Sequence, residues 1–255
     1  MTRIGIIGGG NIAVALAQNI DSHDSLSLSW WRARSQREHA ASASVPLRTG
    51  TPDDAELART DLVVEAAHPT VVAEWGERIL RTSNMMVVSV GALADAALYE
   101  RLRATATEYG TSLIVPSGAL VGLDGVLAQQ WDSAVITMTK APQHLEPSPV
   151  GIDAVTTLFD GSVAELAQQY PRNVNAMVAF AIASCGLDDT VARLVCDPDA
   201  THGSIRMELA QRTGARLTVE KRQPMVGVSG SEMMQSIIDS VHRVSSPTHP
   251  GVVFA

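Results

Sequence analysis

Short apolar runs alternate with segments of helical spacing over the first half of the chain. The apolar runs have the length and β-branched character of buried parallel strands, and they lie at Ile4–Ile7, Ser25–Trp31, Leu62–Val64, Met85–Val90 and Leu113–Val115. The segments between them, where apolar residues recur every three to four positions, begin at Asn11, at Thr51–Asp54, at Pro69 and at Asp95. Strands and helices that alternate in units of about thirty residues predict an α/β fold with a Rossmann-type, doubly wound parallel sheet.

The pattern changes near Pro116. A short strand is predicted at Val135–Thr139, a proline-containing loop at Gln143–Gly151, and a long helical stretch that runs through Asn173–Ser184. The later segments Val191–Cys196, Ser204–Leu209 and Arg216–Val219 have the pattern of an antiparallel meander, and a closing helix is predicted around Met233–Val244. We therefore predict a second, α+β domain at residues 117–229, after a dinucleotide-binding domain at residues 1–116. The closing helix (230–245) either returns to the first domain or packs on the sheet of the second.

Three consecutive glycines separate the first predicted strand from the first predicted helix. Gly8, Gly10 and Ala13 have the spacing G-x-G-x-x-A, in which the first glycine permits a tight turn and the second lets backbone approach a pyrophosphate. The small third residue lets the helix pack closely on the strand, and the phosphates sit at the helix N-terminus. Because the motif lies between a strand pattern and a helix pattern, it predicts a nicotinamide-dinucleotide site that also includes Asn11 and Ile12.

The end of the second predicted strand bears on cofactor choice. Folds that prefer NAD usually carry an acid there to accept the ribose 2′-hydroxyl, whereas this segment reads Trp31-Arg32-Ala33-Arg34-Ser35. Guanidinium groups suit a 2′-phosphate, so Arg32 and Arg34 predict NADP as the preferred cofactor, with NAD as the alternative. A pair of solvated surface arginines is the other interpretation.

Composition narrows the class of protein. The chain has 255 residues, 45% apolar and 18% charged, with a net charge of −8 that argues against nucleic acid as the main partner. No apolar segment approaches the ~20 residues of a membrane span, and the glycines interrupt the first apolar run before a signal peptide can form. Cys185 and Cys196 lack metal-like spacing, so we expect no metal site and a reducing, cytoplasmic location.

Polar residues that follow strands are the candidates for chemistry, because ligands of open α/β sheets bind beyond the carboxyl ends of the strands. His68 could contact nicotinamide or substrate, or simply lie in a turn. Asn173 could cap the following helix or, with Asn175, offer an amide to a ligand. His202 lies in a polar loop suited to a general base, although an isolated histidine is more often a surface residue.

Several motifs in order along the chain resemble the L-aspartate dehydrogenases, which oxidise aspartate to iminoaspartate with NAD(P). Besides the glycine loop, the resemblance is carried by Val64-Glu65-Ala66-Ala67, Ser89–Asp95, Val115–Ala119, Gly122–Gly125, Thr139–Pro142, Pro171–Asn175 and Asp197-Pro198. The resemblance implies a Rossmann domain followed by an α/β domain that also forms a homodimer interface. It also implies that Gly8, Gly10 and Ala13 hold the pyrophosphate, with Ala119 and the Asn173/Asn175 pair near the nicotinamide and substrate. We add Ala67 and His68 to the cofactor site, and Lys140 and Ser117 to the substrate site.

The chain departs from this family in the half that would face substrate. The family follows its Asp-Pro with an Asn-x-His segment whose histidine is catalytic, and an ungapped register from Asp197-Pro198 puts isoleucine, Ile205, at that position. The family's Asn-Pro-Lys-Thr-Ser segment is replaced by Gly227–Ser231. His202, three residues before Ile205, is the candidate replacement base.

These observations together predict an NAD(P)-dependent amino acid dehydrogenase, or imine reductase, of the aspartate dehydrogenase type. Two alternatives stay open: the same scaffold acting on another small substrate, and a cofactor-binding homologue without dehydrogenase activity.

Overall fold

The structure, a computed structural model, describes residues 1–35, 44–226, 229–230 and 232–245. These residues form two compact units. One contains Met1–Pro116 and the described residues from 234 to 245, and the other contains the described residues of Ser117–Met233.

A six-stranded, wholly parallel sheet forms the centre of the first unit, in the order β3-β2-β1-β4-β5-β6. Its strands are β1 (Thr2–Ile7), β2 (Leu26–Ala33), β3 (Arg48–Thr49), β4 (Leu62–Glu65), β5 (Asn84–Val87) and β6 (Leu113–Ile114). The strand order reverses between β1 and β4, which is the topology of a doubly wound dinucleotide-binding sheet. The predicted fold class is therefore confirmed.

The helices of this unit begin and end where local chemistry dictates. They are α1 (Asn11–Asp21), α2 (Asp54–Leu57), α3 (Pro69–Leu80) and α4 (Ala96–Tyr109). Asp53 and Glu56 form a reciprocal capping box at the start of α2. The carboxylate of Asp95 caps α4, and Gly110, with a φ of 67°, ends it.

The second unit is built on a five-stranded mixed sheet in the order β11-β10-β7-β9-β8. Its strands are β7 (Ser133–Lys140), β8 (Thr156–Ser162), β9 (Thr190–Cys196), β10 (Gly203–Ala210) and β11 (Arg216–Gln223). The helices are α5 (Leu123–Leu127), α6 (Val163–Gln169) and α7 (Asn175–Ala183), and β12 (Met225–Val226) pairs with β13 (Ser229–Gly230). One face of the sheet is buried through Ile136, Met138, Leu194 and Met207.

Two predictions for the second unit were wrong. The three late strands do not form a simple antiparallel meander, because β7 lies between β9 and β10 and pairs with β9 in parallel. The long helical stretch is interrupted, since Thr156–Ser162 forms strand β8 before two separate short helices. In both cases the local pattern is compatible with the observed element. The pairing of strands across the sheet determines the strand order and makes Thr156–Ser162 a strand.

The closing helix, α8 (Met233–Ser245), returns to the first unit. Its buried face includes Ile237, Ile238 and Val241. At its end, the hydroxyl of Thr2 donates a hydrogen bond of 3.0 Å to the carbonyl oxygen of Ser245. Within the part of the chain that the structure describes, no helix has the length and apolar character needed to cross a membrane.

Candidate active site

The glycine loop has the geometry of a phosphate-binding turn. Gly8 has a φ of 143°, and a Cβ there would overlap the carbonyl oxygen of Ala66, so only glycine fits. Gly10 is the N-cap residue of α1, offers no side-chain cap, and faces open space where a Cβ would stand. The first backbone N–H groups of a helix have no partner within it. The α1 N-terminus, at Asn11, Ile12 and Ala13, therefore fits a pyrophosphate.

Strand β2 holds the loop in place from one side. The backbone N–H of Gly8 donates to the carbonyl oxygen of Arg32 at 2.8 Å, and the buried indole Nε1 of Trp31 donates to the carbonyl oxygen of Gly8 at 2.7 Å. Both polar groups of the first loop glycine are thus fixed by consecutive residues of β2. The sequence pattern places Trp31 at the end of a strand and does not predict this contact with the loop.

The end of β2 differs from the sequence-based interpretation. The strand extends to Ala33, so Arg32 lies within it, and the Arg32 guanidinium Nη2 is 2.6 Å from Oε1 of Glu56 on α2. The two side chains are only 15% and 17% exposed, so Arg32 is not a solvated surface arginine. Its Nε is buried and has no hydrogen-bond partner among the described residues, whereas Arg34 is exposed.

Glu56 and Arg48 are the residues that sequence reasoning missed at this end of the sheet. The segment after Trp31 contains no acid, but α2 brings one from 24 residues further along the chain. Arg48 is the register partner of Arg32 on the neighbouring strand β3 and is exposed. The Asp53/Glu56 capping-box spacing was the available signal for α2, although nothing local connects it to Arg32.

A buried carboxylate organises the next two loops at the same edge of the sheet. Glu65, the last residue of β4, is fully buried and accepts four hydrogen bonds of 2.8–3.0 Å. The donors are the backbone N–H groups of Ala67, His68 and Ser89 and the hydroxyl of Ser89. Burial raises the pKa of Glu65, and these hydrogen bonds oppose that rise. The positions of Ala67 and His68 are consequently set by Glu65.

The His68 side chain has a structural partner. It is exposed, and its Nδ1 accepts a hydrogen bond of 3.3 Å from the backbone N–H of Thr70, which caps α3. Pro69 occupies the first helical position, as is common at helix starts. The observed contacts of His68 therefore match its interpretation as a turn residue.

In the second unit, Lys140 is the last residue of β7 and is 6% exposed. Burial lowers the pKa of its ammonium from 10.5 to about 8. The carbonyl oxygen of Lys140 accepts from the backbone N–H of Asp197 at 3.0 Å, which joins the end of β7 to the Asp-Pro turn after β9.

At the start of this unit, Ser117 and Ala119 flank Gly118 in a turn closed by a 2.9 Å hydrogen bond from Leu120 N–H to the Ser117 carbonyl.

The capping interpretation of Asn173 was wrong. Val174 is the N-cap residue of α7, and no side chain caps that helix. Asn173 is instead 3% exposed, and its Nδ2 donates to the carbonyl oxygen of Glu146 at 2.6 Å. Its Oδ1 is buried without a hydrogen-bond partner in the described structure. Asn175 is the first residue of α7 and is exposed.

His202 and Ile205 lie in contrasting environments. His202 is exposed in the loop before β10, with its Nδ1 3.0 Å from the hydroxyl oxygen of Thr201. Ile205 is buried within β10, where it is paired with Met138 and Lys221. Its side chain belongs to the apolar core of the sheet.

Of the segment Gly227–Ser231, positions 227, 228 and 231 lie outside the described residues. No cluster of three or more metal-ligating side chains occurs in the described ranges.

Comparison with known proteins covers both units. Residues 124–240 match the family model described as "Aspartate dehydrogenase, C-terminal", and residues 8–116 match "Homoserine dehydrogenase, NAD binding domain". The chain is 33% identical to an L-aspartate dehydrogenase of Serratia proteamaculans, over 84% of this chain and 85% of that protein. It is 30% identical to an L-aspartate dehydrogenase of Methanocella arvoryzae, over 88% and 89% of the two chains.

Among solved structures, the chain is similar to aspartate dehydrogenase from Thermotoga maritima, with a TM-score of 0.78 and 22% identity. The match covers 98% of this chain and 100% of that one. At this identity the likeness concerns the fold, and it extends over both units.

Proposed function

The chain belongs to the aspartate dehydrogenase family, and on that premise we propose that it is an NADP-preferring dehydrogenase of L-aspartate or a closely related amino acid. Membership makes it an NAD(P)-dependent oxidoreductase with a small-molecule substrate; the substrate, the cofactor preference and the residue roles are proposals. The observation that carries the dinucleotide-binding part of this proposal is the uncapped start of α1 behind Gly8 and Gly10, within a sheet of dinucleotide-binding order.

In the proposed oxidation, the substrate α-carbon loses a hydride, its nitrogen loses a proton, and a carbon–nitrogen double bond forms. The nicotinamide, when bound, accepts the hydride. We propose that Gly8, Gly10, Asn11, Ile12 and Ala13 bind the pyrophosphate, and that Ala67, His68, Ala119 and Asn175 contact other parts of the cofactor. The reverse reaction reduces the imine.

Three side chains of the second unit are proposed to bind substrate. Lys140, with its pKa of about 8, is mostly protonated at pH 7 and suits a substrate carboxylate. The Asn173 Oδ1, buried without a partner among the described residues, suits an N–H donor of the ligand. Ser117, half-buried beside Gly118, contributes a hydroxyl. The Asn173 assignment also rests on the family resemblance, whereas Lys140 and Ser117 are assigned from their local chemistry and their positions after predicted strands.

His202 is proposed as the base that takes the proton from the substrate ammonium. The family's catalytic position is occupied by Ile205, which cannot transfer a proton. His202 is exposed and lies one residue before β10, three residues from Ile205, so it is the available replacement. General acid–base catalysis is worth about 10²–10⁴-fold. A His202→Ala variant should therefore lose activity by at least about 100-fold, and unchanged turnover would reject His202 as the base.

Ile205 also favours a second candidate function. A buried isoleucine at the family's histidine position suits a protein of the same scaffold that acts on another small substrate, or one that binds cofactor without turnover. Following NADPH absorbance across a panel of oxo acids with ammonia separates these possibilities. Turnover with oxaloacetate supports the first proposal, turnover only with other acids supports a changed substrate, and tight NADPH binding without turnover supports a non-catalytic homologue.

The preference for NADP is proposed from Arg32 and Arg34, supported by the missing acid in the segment that follows Trp31. Replacing both arginines by alanine should raise the Michaelis constant for NADPH far more than that for NADH. Equal increases for the two cofactors would exclude a 2′-phosphate contact. This test does not depend on which amino acid is the substrate.

We further propose a homodimer and a cytoplasmic location. The dimer is supported by half-buried valines on the second sheet, including the register partners Val135 and Val191, on the face opposite Ile136. The location is supported by Cys185 and Cys196, which are both free thiols. Light scattering coupled to gel filtration tests the first proposal, since a monomeric mass would contradict it, and cell fractionation tests the second.

A further inference from the structure

We propose that Glu56 sets the cofactor selectivity of this protein by holding the Arg32 guanidinium and neutralising its charge. A 2′-phosphate must then compete with a carboxylate for Arg32, so Glu56 limits the preference for NADP that Arg32 and Arg34 would otherwise give. This inference rests on the proposed placement of Arg32 and Arg34 at the 2′ position of the adenosine ribose. It adds a residue that is distant in sequence from both arginines.

The Glu56 carboxylate is fixed at both of its oxygens. Oε1 accepts from Arg32 Nη2 at 2.6 Å, and Oε2 accepts from the backbone N–H of Asp53 at 3.1 Å. The Asp53 carboxylate in turn accepts from the backbone N–H of Glu56 at 2.7 Å. Glu56 is therefore a rigid part of the α2 cap, and any rearrangement on ligand binding falls to the longer and more flexible Arg32.

Arg32 is only partly satisfied by this partner. Arg32 contacts Glu56 through Nη2, and its Nε is buried without a hydrogen bond among the described residues. A phosphate offers several acceptor oxygens and can take two guanidinium N–H groups at once. A 2′-phosphate therefore offers Arg32 hydrogen bonds that Glu56 leaves unmade, at the cost of breaking the existing pair.

The surrounding charges make the preference between NADP and NAD sensitive to Glu56. Arg34 and Arg48 are exposed, and within the described ranges neither has an ion-pair partner. Arg48 stands beside Arg32 in the β2–β3 register. Among the described residues, Glu56 is the acid that pairs with a member of this group of three arginines. It repels a phosphate and accepts hydrogen bonds from a hydroxyl, so its two effects favour the unphosphorylated ribose.

The test uses two nucleotides that differ only in the 2′-phosphate, adenosine 2′,5′-bisphosphate and adenosine 5′-monophosphate, with binding measured by titration calorimetry. In Glu56→Gln the amide oxygen can still complete the α2 capping box, so the variant should fold. We expect it to bind the bisphosphate about tenfold more tightly and the monophosphate no more tightly than the parent protein. Unchanged affinity for the bisphosphate would overturn the proposal.

The matched control is Asp54→Asn. Asp54 lies two residues away on α2 and pairs with Arg78, so this variant removes the same charge without touching Arg32. An equal gain in Asp54→Asn would mean that net charge alone is responsible, which would refute a specific role for Glu56. In an Arg32→Ala background the effect of Glu56→Gln should disappear, and its persistence would refute action through Arg32.

This readout is separate from turnover. Absence of activity on aspartate would leave the nucleotide affinities interpretable, so the proposed reaction and the role of Glu56 can fail independently. If the parent protein prefers the bisphosphate and Glu56→Gln does not increase that preference, the NADP proposal survives and the Glu56 proposal is rejected.

Discussion

The indole N–H of Trp31 donates a buried hydrogen bond of 2.7 Å to the carbonyl oxygen of Gly8, the first glycine of the phosphate loop. The neighbouring residue, Trp30, makes a comparable buried hydrogen bond of 2.8 Å, but its acceptor is the hydroxyl of Thr60. Two adjacent tryptophans therefore stabilise different parts of the first unit. Only Trp31 acts directly on the loop that is proposed to bind pyrophosphate.

Replacing Trp31 by phenylalanine should weaken both stability and nucleotide binding. The substitution leaves the Gly8 carbonyl without its donor and removes buried ring volume, at a cost of about 2–4 kcal/mol in the free energy of unfolding. Trp30→Phe is the matched control, and we expect a similar loss of stability from it. Affinity for ADP, measured calorimetrically, should fall only in Trp31→Phe; a similar fall in both variants would contradict a specific role in the loop.

Replacing Gly8 by alanine should destabilise the fold, whereas replacing Gly10 by alanine should leave its stability almost unchanged. Gly8→Ala introduces a Cβ that overlaps the Ala66 carbonyl oxygen at a φ of 143°, so we expect a loss of about 3 kcal/mol or more in the free energy of unfolding. Gly10→Ala places its methyl group in open space at a φ of −85°, so the fold should tolerate it.

The Gly10→Ala methyl group would instead occupy the space that the phosphates need. We expect a melting temperature within a few degrees of the parent value and at least a tenfold loss of ADP affinity. Denaturant unfolding and calorimetry measure the two properties separately. Normal ADP binding by Gly10→Ala would argue against pyrophosphate at this loop.

Glu65→Gln should destabilise the first unit although the side chain keeps its shape. One carboxylate oxygen becomes an amide nitrogen, and in either orientation this donor faces at least one backbone N–H group that now donates to Glu65. We expect a loss of about 2–4 kcal/mol in the free energy of unfolding, because buried donors are left unpaired. Glu74→Gln, at an exposed position on α3, is the control for charge and should change stability by less than about 0.5 kcal/mol. Equal effects from the two variants would disprove the organising role of Glu65.

Lys140 should give stability a distinct pH dependence. Its pKa is about 8 in the folded chain, below the ordinary value of 10.5, so between these pH values the unfolded chain binds a proton that the folded chain has released. Stability therefore rises with pH across this window, and below pH 8 the full cost of the buried charge is present. Relative to Lys140→Met, the parent protein should gain roughly 3 kcal/mol between pH 8 and 10.5.

Lys140→Arg provides the comparison for that measurement, since arginine keeps its charge across the same range. Urea unfolding at a series of pH values gives the free energies for the three proteins. The difference between Lys140→Arg and Lys140→Met should stay constant with pH. A constant difference between the parent protein and Lys140→Met would show that Lys140 does not titrate in this window.

Much of the first unit could be predicted from local sequence. The helix through Leu80 and the helix Asp95–Tyr109 are confirmed as Pro69–Leu80 and Ala96–Tyr109, with Asp95 as the cap. In each case the periodicity, the capping residue and the terminating residue lie next to one another in the chain. The family resemblance is likewise confirmed by the match to known L-aspartate dehydrogenases. It could be found from the sequence because its motifs are short and contiguous.

The errors share a physical origin in contacts between distant residues. Asn173 was a candidate cap, but its amide donates to the carbonyl of Glu146, 27 residues earlier in the chain. The local pattern predicts strand β9 as part of an antiparallel meander, but it pairs in parallel with β7. A local window contains neither partner, and propensity alone does not choose among compatible partners.

By itself, the sequence determined the α/β class, the Gly8–Gly10 loop between β1 and α1, and the family, because strand–turn–helix motifs are encoded within about twenty residues. Only the tertiary structure decided that Arg32 is held by Glu56 and that Gly8 is held by Trp31. The burial of Ile205 in the core of the second sheet was likewise decided by the tertiary structure alone. These relationships depend on which elements become neighbours in space, and the burial of side chains across the whole sheet decides that choice.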